Sequence, residues 1–363
     1  MAYFEIDRLS KSFGKSKVID NLSLSVRQGE SVVVFGPSGC GKTVLLRLIS
    51  GVLRADAGDI RIDGESIAHL GPDHRDVAMA FQNFALYPHM TAFENIASPL
   101  RARKLAEAEI SRRVHELAEL LRIDHVLGHT PRELSNGQKQ RTSLARSLAA
   151  PPAVLLLDDP LRNVDAKIRY EMRLELPRVL REYRSTVFYV TQDYKEAMAL
   201  GNRVGVLYDG TFQQVDTPAG IYGRPESIRI ARLFGDPPVN LLPARPELSG
   251  DGRAKLRIGG SDLVGPPSLE SLVGRDLLVG IRPEDIEVLT EPAEGAIAVE
   301  LDALTPLNVR AVMLLRDGQG TEILASCPED DRPPLSRGRR QVWARLDLGR
   351  ALFFDRATEM RIH

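Results

Sequence analysis

The sequence predicts an α/β domain built around a buried parallel sheet, followed by a smaller all-β domain. Continuous apolar runs in the first part alternate with helical patterns, which is typical of an α/β domain. These runs are Ser31–Phe35, Val154–Leu157, Val187–Val190 and Val204–Leu207. Near residue 237 the pattern changes to short alternating runs, which are typical of a small barrel. We therefore expect one domain over residues 1–236 and a second over residues 237–363.

Local signals predict the elements of the first domain. The pattern of residues 1–70 predicts mostly strands, with a hairpin turn at Asp63-Gly64. The four apolar runs predict strands buried on both faces. Apolar residues recur at helical spacing in two later places, Ile110, Val114, Leu117 and Leu121 in one and Ile168, Met172 and Leu176 in the other. Both places predict helices, and Pro177 is expected to kink or shorten the second.

The second domain begins after the helix-breaking stretch Gly235–Pro238. Strand-like runs separated by Gly, Pro and Asp follow it. They are Ala254–Ile258, Leu277–Ile281, Ala296–Leu301, Val309–Leu315 and Gln341–Leu346. Their number and shortness predict a barrel rather than another α/β unit.

Composition excludes several classes of protein. The 48 basic and 49 acidic side chains give a net charge of -1, so the chain as a whole does not attract nucleic acid or anionic lipid. Cys40 and Cys327 are the two cysteines, and their separation argues against a zinc site or a disulfide framework and fits a reducing cytoplasm. No apolar run approaches the roughly 20 residues of a membrane span. We therefore expect any work at a membrane to depend on docking to a partner that spans it.

A phosphate-binding loop is predicted between the first buried strand and a helix. Gly36-Pro37-Ser38-Gly39-Cys40-Gly41-Lys42-Thr43 fits GxxxxGK[ST], and Val44 continues into the helix. Glycines let backbone N–H groups surround a polyphosphate, and the helix N-terminus adds partial positive charge. Lys42 is expected to reach the β- and γ-phosphates, and Thr43 to offer its hydroxyl to Mg²⁺.

A second element for the metal is predicted at the end of Val154–Asp158. This apolar strand places a carboxylate beside the loop, where Asp158 can hold Mg²⁺ through water. Strands often end in Asp, so the prediction depends on the pairing with the loop about 115 residues earlier.

The segment Leu134–Arg141 (LSNGQKQR) resembles the LSGGQ signature of ABC ATPases. Gln82 matches that family's Q-loop, Asp165 its D-loop, and Phe13 the aromatic that stacks on adenine. The tail around Gly280–Glu284 looks like the regulatory domain of the maltose-type importers of carbohydrates and polyols. The resemblance implies an α/β P-loop ABC ATPase domain with a helical subdomain over about 84–150, and a C-terminal OB-like barrel.

The resemblance also implies the ligands and the residues that hold them. ATP would be bound by Phe13, by the loop and Val44, and, from the opposite subunit of a dimer, by Ser135, Asn136, Gly137, Gln138 and Asp165. Mg²⁺ would be held by Thr43, Gln82 and Asp158. Transmembrane permease subunits at the cytoplasmic face of the inner or plasma membrane are the implied partners, with an external solute-binding protein acting indirectly. Gln82 and the loop Asn83–Met90 would carry the coupling.

Three positions depart from the family pattern. Asp159 stands where the general base is a Glu, one methylene longer, so its carboxylate is displaced by about 1 Å. Gln192 replaces the switch histidine and carries no charge. Asn136 replaces a signature glycine. Apart from these three positions, Arg162 is also unusual just before the D-loop.

These departures leave alternatives open. The one that they favour is a degenerate site that binds ATP firmly but hydrolyses it slowly, with a second, different ABC ATPase subunit doing most of the hydrolysis. Another is a homodimer in which Asp159 and Gln192 sustain slower turnover. A regulatory subunit that uses ATP structurally, and an ABC protein of DNA repair or translation, are the competing functions. The solute stays open among sugars, polyols, glycerol and phosphorylated derivatives.

Overall fold

The computed structural model describes residues 3–80, 84–150, 152–162, 164, 166–183, 185–250, 252–307, 309–332 and 341–362. The chain divides into two compact units, Met1–Ala219 and Gly220–His363. Within the described residues, no helix combines the length and the apolar character that crossing a bilayer requires.

Two sheets form the frame of the N-terminal unit. Its strands are, in chain order, β1 (Phe4–Phe13), β2 (Ser16–Val26), β3 (Ser31–Phe35), β4 (Ala57–Ile62), β5 (Glu65–Ser66), β6 (Val77–Ala80), β7 (Val154–Asp158), β8 (Thr186–Thr191), β9 (Arg203–Tyr208) and β10 (Thr211–Asp216). One sheet is antiparallel, in the order β2-β1-β4-β5. The other has the order β10-β9-β3-β8-β7-β6 and is parallel except for β10. This parallel sheet confirms the predicted α/β class.

Sequence pattern explains why these strands form. Every residue of β7 and β8 is buried, as expected for strands covered on both faces. Phe4 and Phe188 meet edge to face at 4.8 Å between ring centroids, so the two sheets share one apolar core. The hairpin predicted at Asp63-Gly64 is confirmed, because both residues have positive φ and the flanking strands β4 and β5 pair.

Helices connect the strands. In chain order they are α1 (Lys42–Ile49), α2 (Ala92–Ala102), α3 (Glu107–Leu120), α4 (Asn136–Ala149), α5 (Ala166–Tyr183), α6 (Tyr194–Leu200), α7 (Pro218–Gly223) and α8 (Ile228–Leu233). The helices α2, α3 and α4 all lie within the predicted insertion at 84–150. The predicted apolar face of α3 is buried, from Ile110 to Leu117.

The expectation that Pro177 shortens its helix is wrong. Helix α5 continues through Pro177 to Tyr183. Proline removes one hydrogen bond of the helix, at a cost of about 3 kcal/mol. The burial of Leu176, Val179 and Leu180 on both sides of the proline outweighs that cost, because each buried apolar side chain contributes about 1.5–3 kcal/mol.

The C-terminal unit is mostly β-structure around its own core. Its strands are β11 (Asn240–Ala244), β12 (Pro246–Leu248), β13 (Ala254–Ile258), β14 (Ser261–Val264), β15 (Leu277–Ile281), β16 (Ile286–Leu289), β17 (Ala296–Leu307), β18 (Arg310–Asp317), β19 (Glu322–Pro328), β20 (Gln341–Leu346) and β21 (Leu352–Asp355). They form sheets in the orders β11-β15-β21, β12-β13-β14 and β16-β20-β17-β18-β19. All three sheets contribute to one apolar core, and the OB-like assignment stays a prediction.

The compact units divide earlier than the expected boundary near 237. Residues of α8 pack with the last strand, since Ile228 and Ala231 share an apolar cluster with Leu352 and Phe354. The buried Arg282 also donates hydrogen bonds to the carbonyls of Tyr222, Ala231 and Phe234. These contacts place residues 220–236 with the C-terminal unit. The stretch Gly235–Pro238 therefore follows the end of α8 inside that unit and does not mark its start.

Candidate functional site

The site lies at the carboxyl edge of the parallel sheet, where three adjacent strands end. Strand β8 lies between β3 and β7, with Phe35 opposite Thr191 and Val190 opposite Asp158. The phosphate loop leaves β3 there, Gln192 follows β8, and Asp158 ends β7. Ligands of open α/β sheets bind at this edge. The fold thus brings together residues that are up to 156 positions apart in sequence, from Gly36 to Gln192.

Two glycines shape the loop. A Cβ on Gly36 would lie 2.4 Å from the backbone oxygen of Leu207, so a side chain there would force the strand ends apart. Gly41 has φ +106° and ends the loop as the N-cap of α1. No side chain caps this helix, which leaves its first N–H groups directed at the cleft. Such an N-terminus binds anions, as the motif predicts.

Lys42 is buried and held within the loop. Its Nζ donates hydrogen bonds of 2.7 Å to the carbonyls of Gly36 and Pro37. Burial lowers the pKa of Lys42, and the nearby Asp158 and Asp159 oppose that shift. The ammonium group is therefore placed at the base of the loop, where a polyphosphate would find it.

Thr43 and Asp158 form the predicted metal-side pair. The Thr43 hydroxyl donates a hydrogen bond of 3.1 Å to Asp158 Oδ1. Burial raises the pKa of Asp158, and the bond from Thr43 opposes this shift. One hydroxyl and one carboxylate suit Mg²⁺, which takes few protein ligands and fills its remaining positions with phosphate oxygens and water. The residues present therefore fit that ion, although the described residues contain no cluster of three or more His, Cys, Asp or Glu side chains that could hold a metal.

Asp159 follows with an unusual backbone. Its φ of +47° is left-handed, and its N–H donates a 2.9 Å hydrogen bond to the Val190 carbonyl of β8. Non-glycine residues with such φ values cluster at functional sites. Burial raises the pKa of the Asp159 carboxyl, and the charge of Arg162, whose Nη1 is 3.6 Å from Asp159 Oδ2, opposes that shift.

Gln192 is linked to the phosphate loop across the cleft. The Ser38 hydroxyl donates a 2.9 Å hydrogen bond to Gln192 Oε1. The side-chain amide of Gln192 thus has its N–H groups available for an incoming oxygen. This position is exposed, so the amide is accessible from the cleft.

These residues line one cleft of about 420 Å³. Its predicted members are Phe13, Ser38, Gly39, Gly41, Lys42, Thr43, Val44, Asp158, Asp159 and Gln192. Val18, Val190 and Arg162 complete the lining. Phe13 is 46% exposed at the end of β1, with a ring face available for stacking. Val18 and Val190 were not predicted, since an apolar residue in a strand gives no signal of ligand contact.

The signature residues lie elsewhere. Ser135 is the N-cap of α4 and forms a capping box with Gln138, in which each side chain accepts a hydrogen bond from the other residue's backbone N–H. Asn136 is exposed and Gly137 is buried. None of these four residues lines the cleft of its own chain. Gln82 and Asp165 lie outside the described residues.

Glu196 is a polar residue beside the site that sequence reasoning missed. It is 2% exposed, and its Oε2 accepts hydrogen bonds of 2.8 Å from the hydroxyls of Tyr189 and Thr191. Burial raises the pKa of Glu196. No sequence motif includes Glu196. Its two hydrogen-bond partners lie in β8, whereas Glu196 itself lies in the following helix, α6.

Comparison with known proteins identifies relatives over the whole chain. Residues 19–162 match the family model described as ABC transporter. The chain is 38% identical over 363 residues to the sn-glycerol-3-phosphate import ATP-binding protein UgpC of Escherichia coli (strain K12). It is 40% identical to the proteins of the same name from Salmonella typhi and Cereibacter sphaeroides. All three alignments cover 100% of both chains.

A solved structure supports the same assignment. The ATP-binding cassette MJ0796, in a dimeric post-hydrolysis state bound to ADP and Pi, aligns with a TM-score of 0.54 and 28% identity. The alignment covers 59% of this chain and 98% of that one. Together with the cleft at the carboxyl edge of the sheet, these likenesses show that the chain belongs to the ABC transporter family and is one of its ATP-binding, ATP-hydrolysing proteins.

Proposed function

We propose that this chain is the ATPase subunit of an importer for a glycerol-type solute, with sn-glycerol 3-phosphate as the first candidate. The observation that supports this most is the full-length likeness to the import proteins described above. It extends through the C-terminal unit, which contains none of the residues that line the nucleotide cleft. The likeness therefore includes more than the ATP-binding residues that every family member needs.

Different residues of the cleft contact different parts of ATP. Phe13 stacks on adenine, and the N–H groups at the start of α1 bind the phosphates. Lys42 exchanges its two carbonyl partners for phosphate oxygens. Thr43 and Asp158 would hold Mg²⁺, with Gln82 as a further ligand, and the ion would supply positive charge beside the phosphates.

Hydrolysis requires a water aligned with the γ-phosphate. Asp159 accepts a proton from that water and orients it, and Gln192 donates an amide hydrogen bond to a γ-phosphate oxygen. Because Asp159 has a shorter side chain than Glu and Gln192 has no charge, turnover is slower than in a site that carries Glu and His.

A dimer of two copies completes each site. The helix N-terminus at Ser135–Gln138 does not line its own cleft. In the arrangement that the family resemblance implies, it acts on the nucleotide of the opposite copy, together with Asp165. A second, different ATPase subunit is the arrangement that the departures at Asp159 and Gln192 favour. The relatives described above give that arrangement no support, and the solved dimer of a single cassette favours two copies.

The remaining partners follow from the importer assignment. Permease subunits dock on the helical subdomain through Gln82 and the loop after it, and a solute-binding protein delivers the solute from outside. The chain then works as a peripheral protein at the cytoplasmic face of the membrane. The C-terminal unit, for which an OB-like fold is our prediction, stabilises the dimer and offers a surface for a regulator.

Uptake in the native host tests the proposal. A strain that lacks this gene receives the wild-type gene, the Lys42→Ala variant or the Lys104→Asn variant. Lys104 is an exposed control outside the cleft, and Asn tolerates its left-handed backbone. We expect labelled sn-glycerol 3-phosphate uptake with the wild type and the control but not with Lys42→Ala. Rescue of maltose or polyol uptake alone would reassign the solute, and equal uptake with all three would reject the importer role.

A further inference from the structure

Arg162 lies between the nucleotide cleft and a neighbouring cavity. It lines the cleft together with Lys42, Asp158 and Asp159. It also lines an adjacent cavity of about 410 Å³, which shares Asp159 and Gln192 with the cleft. The residues implicated in hydrolysis therefore meet an arginine that the expected ATP-binding set does not include.

The contact between Arg162 and Asp159 is specific. The Arg162 Nη1 lies 3.6 Å from Asp159 Oδ2, and the Arg162 N–H donates a 3.2 Å hydrogen bond to the Asp159 carbonyl. The side chain of Asp159 is 11% exposed, whereas that of Arg162 is 51% exposed. The arginine thus reaches from solvent over a nearly buried carboxylate and contacts the carboxylate at its open side.

The backbone around this pair is also fixed. The Asp159 N–H is bound to the Val190 carbonyl, so the residue cannot rotate away from β8. From α5, Arg169 donates hydrogen bonds of 3.4 Å and 3.2 Å to the carbonyls of Arg162 and Val164. Hydrogen bonds thus hold the backbone of the turn at Asp159 and at Arg162. The conformational freedom that remains is that of the two side chains.

A short carboxylate needs this kind of constraint more than a long one. Asp has one rotatable bond fewer than Glu and reaches less far, so its useful orientations are few. Displacement of a catalytic group by about 1 Å can cost about a hundredfold in rate. A cation at the open side of the carboxylate favours the orientations that keep it directed toward the cleft.

We propose that Arg162 is a positioning residue, which holds the Asp159 carboxylate in the orientation that aligns the attacking water. The inference rests on the proposed role of Asp159 in ATP hydrolysis. It assigns to Arg162 an effect on the rate of the chemical step, exerted through Asp159. Direct binding of a phosphate oxygen by Arg162 is the competing role, and it would act whether or not Asp159 carries a charge.

A double-mutant cycle separates these roles. The variants are Arg162→Ser, Arg162→Lys, Asp159→Asn and the pair Asp159→Asn with Arg162→Ser. Arg178→Ser is the matched control, because Arg178 is exposed on α5 and lines neither cavity. ATP turnover gives kcat and KM, a fluorescent ATP analogue gives binding, and circular dichroism with thermal unfolding checks the fold.

We expect Arg162→Ser to lower kcat about tenfold with KM changed less than about twofold, and Arg162→Lys to recover most of that loss. In the Asp159→Asn background, Arg162→Ser should change kcat by less than about twofold. An equal loss in both backgrounds, a rise in KM at constant kcat, or no loss with Arg162→Ser would overturn the inference. If Asp159→Asn alone leaves kcat unchanged, the proposed role of Asp159 in hydrolysis is also wrong. The single variant therefore distinguishes a failure of the Arg162 inference from a failure of the proposed function.

Discussion

The Thr43 hydroxyl donates a hydrogen bond to Asp158 Oδ1 at 3.1 Å, although 115 positions separate the two residues. Thr43 lies in the first turn of α1, and Asp158 is the last residue of β7. The bond therefore joins the phosphate loop to a strand that is two places from β3 in the sheet order. It presents a hydroxyl and a carboxylate together at the place where we propose that Mg²⁺ binds with ATP.

Replacing Thr43 with Val should weaken ATP binding in the presence of Mg²⁺ while leaving Mg²⁺-free binding nearly unchanged. Val keeps the branched shape but removes the oxygen, and loss of even an outer-shell partner of a metal ligand typically costs about ten- to a hundredfold in metal affinity. Thr43→Ser, which keeps the hydroxyl, is the control. Titration of a fluorescent ATP analogue with and without Mg²⁺ measures the difference. An equal loss in both conditions would show that Thr43 acts on the loop rather than on the ion.

Gly36→Ala should disrupt the phosphate loop. The added methyl group would meet the Leu207 carbonyl at 2.4 Å, and neither backbone segment can move without disturbing the pairing of β3 with β9. We expect ATP affinity to fall by about tenfold or more, since the loop's N–H groups would be displaced. Gly128→Ala is the control, because nothing lies within 4 Å of its added methyl group. Normal ATP affinity in Gly36→Ala would contradict the close approach.

Asp159→Glu combined with Gln192→His should raise ATP turnover. The longer carboxylate reaches the attacking water, and the imidazole supplies a stronger partner for the γ-phosphate. We expect an increase on the order of tenfold, because a well-placed general base contributes a hundredfold or more. Steady-state turnover at saturating ATP measures it, with Asp159→Asn as the variant that should fall. A double variant that binds ATP normally but is no faster would show that neither departure limits hydrolysis.

Glu196→Ala should destabilise the N-terminal unit by about 2–4 kcal/mol, because it leaves the Tyr189 and Thr191 hydroxyls buried without their acceptor. Glu196→Gln keeps an acceptor oxygen and avoids burying a charge, so we expect a loss of about 1 kcal/mol or less. Urea unfolding followed by circular dichroism gives both values. If the Ala variant is as stable as the wild type, the bonds to Glu196 do not contribute to the fold.

Much of the fold follows from sequence pattern, because burial on both faces and turn chemistry act locally. The run Ser31–Phe35 is strand β3 with its predicted bounds, and Ala254–Ile258 and Leu277–Ile281 are strands as predicted. Helix α5 shows the limit of such rules. Its continuation through Pro177 depends on packing by residues on both sides, which a local rule for proline does not include.

In the site, too, some features follow from sequence pattern and others depend on tertiary contacts. The loop, Asp158 and Gln192 could be placed because motif spacing fixes them at the carboxyl ends of neighbouring strands. The hydrogen bond from Ser38 to Gln192 spans 154 positions, and the contact of Arg162 with Asp159 depends on a left-handed backbone at Asp159. Neither relationship has a sequence signal, since each arises only when the strand ends meet.

We propose that ATP binds at the carboxyl edge of the sheet and that a second copy of the chain completes the site. Sedimentation of the slow Asp159→Asn variant with saturating ATP and Mg²⁺ tests it most directly, with bound nucleotide counted in the same sample. We predict a dimer of this chain with one ATP per copy. Ser135→Arg should bind ATP but lose the ATP-dependent part of the association, and Lys42→Ala should lose both. A monomer that carries ATP at saturation would contradict the claim.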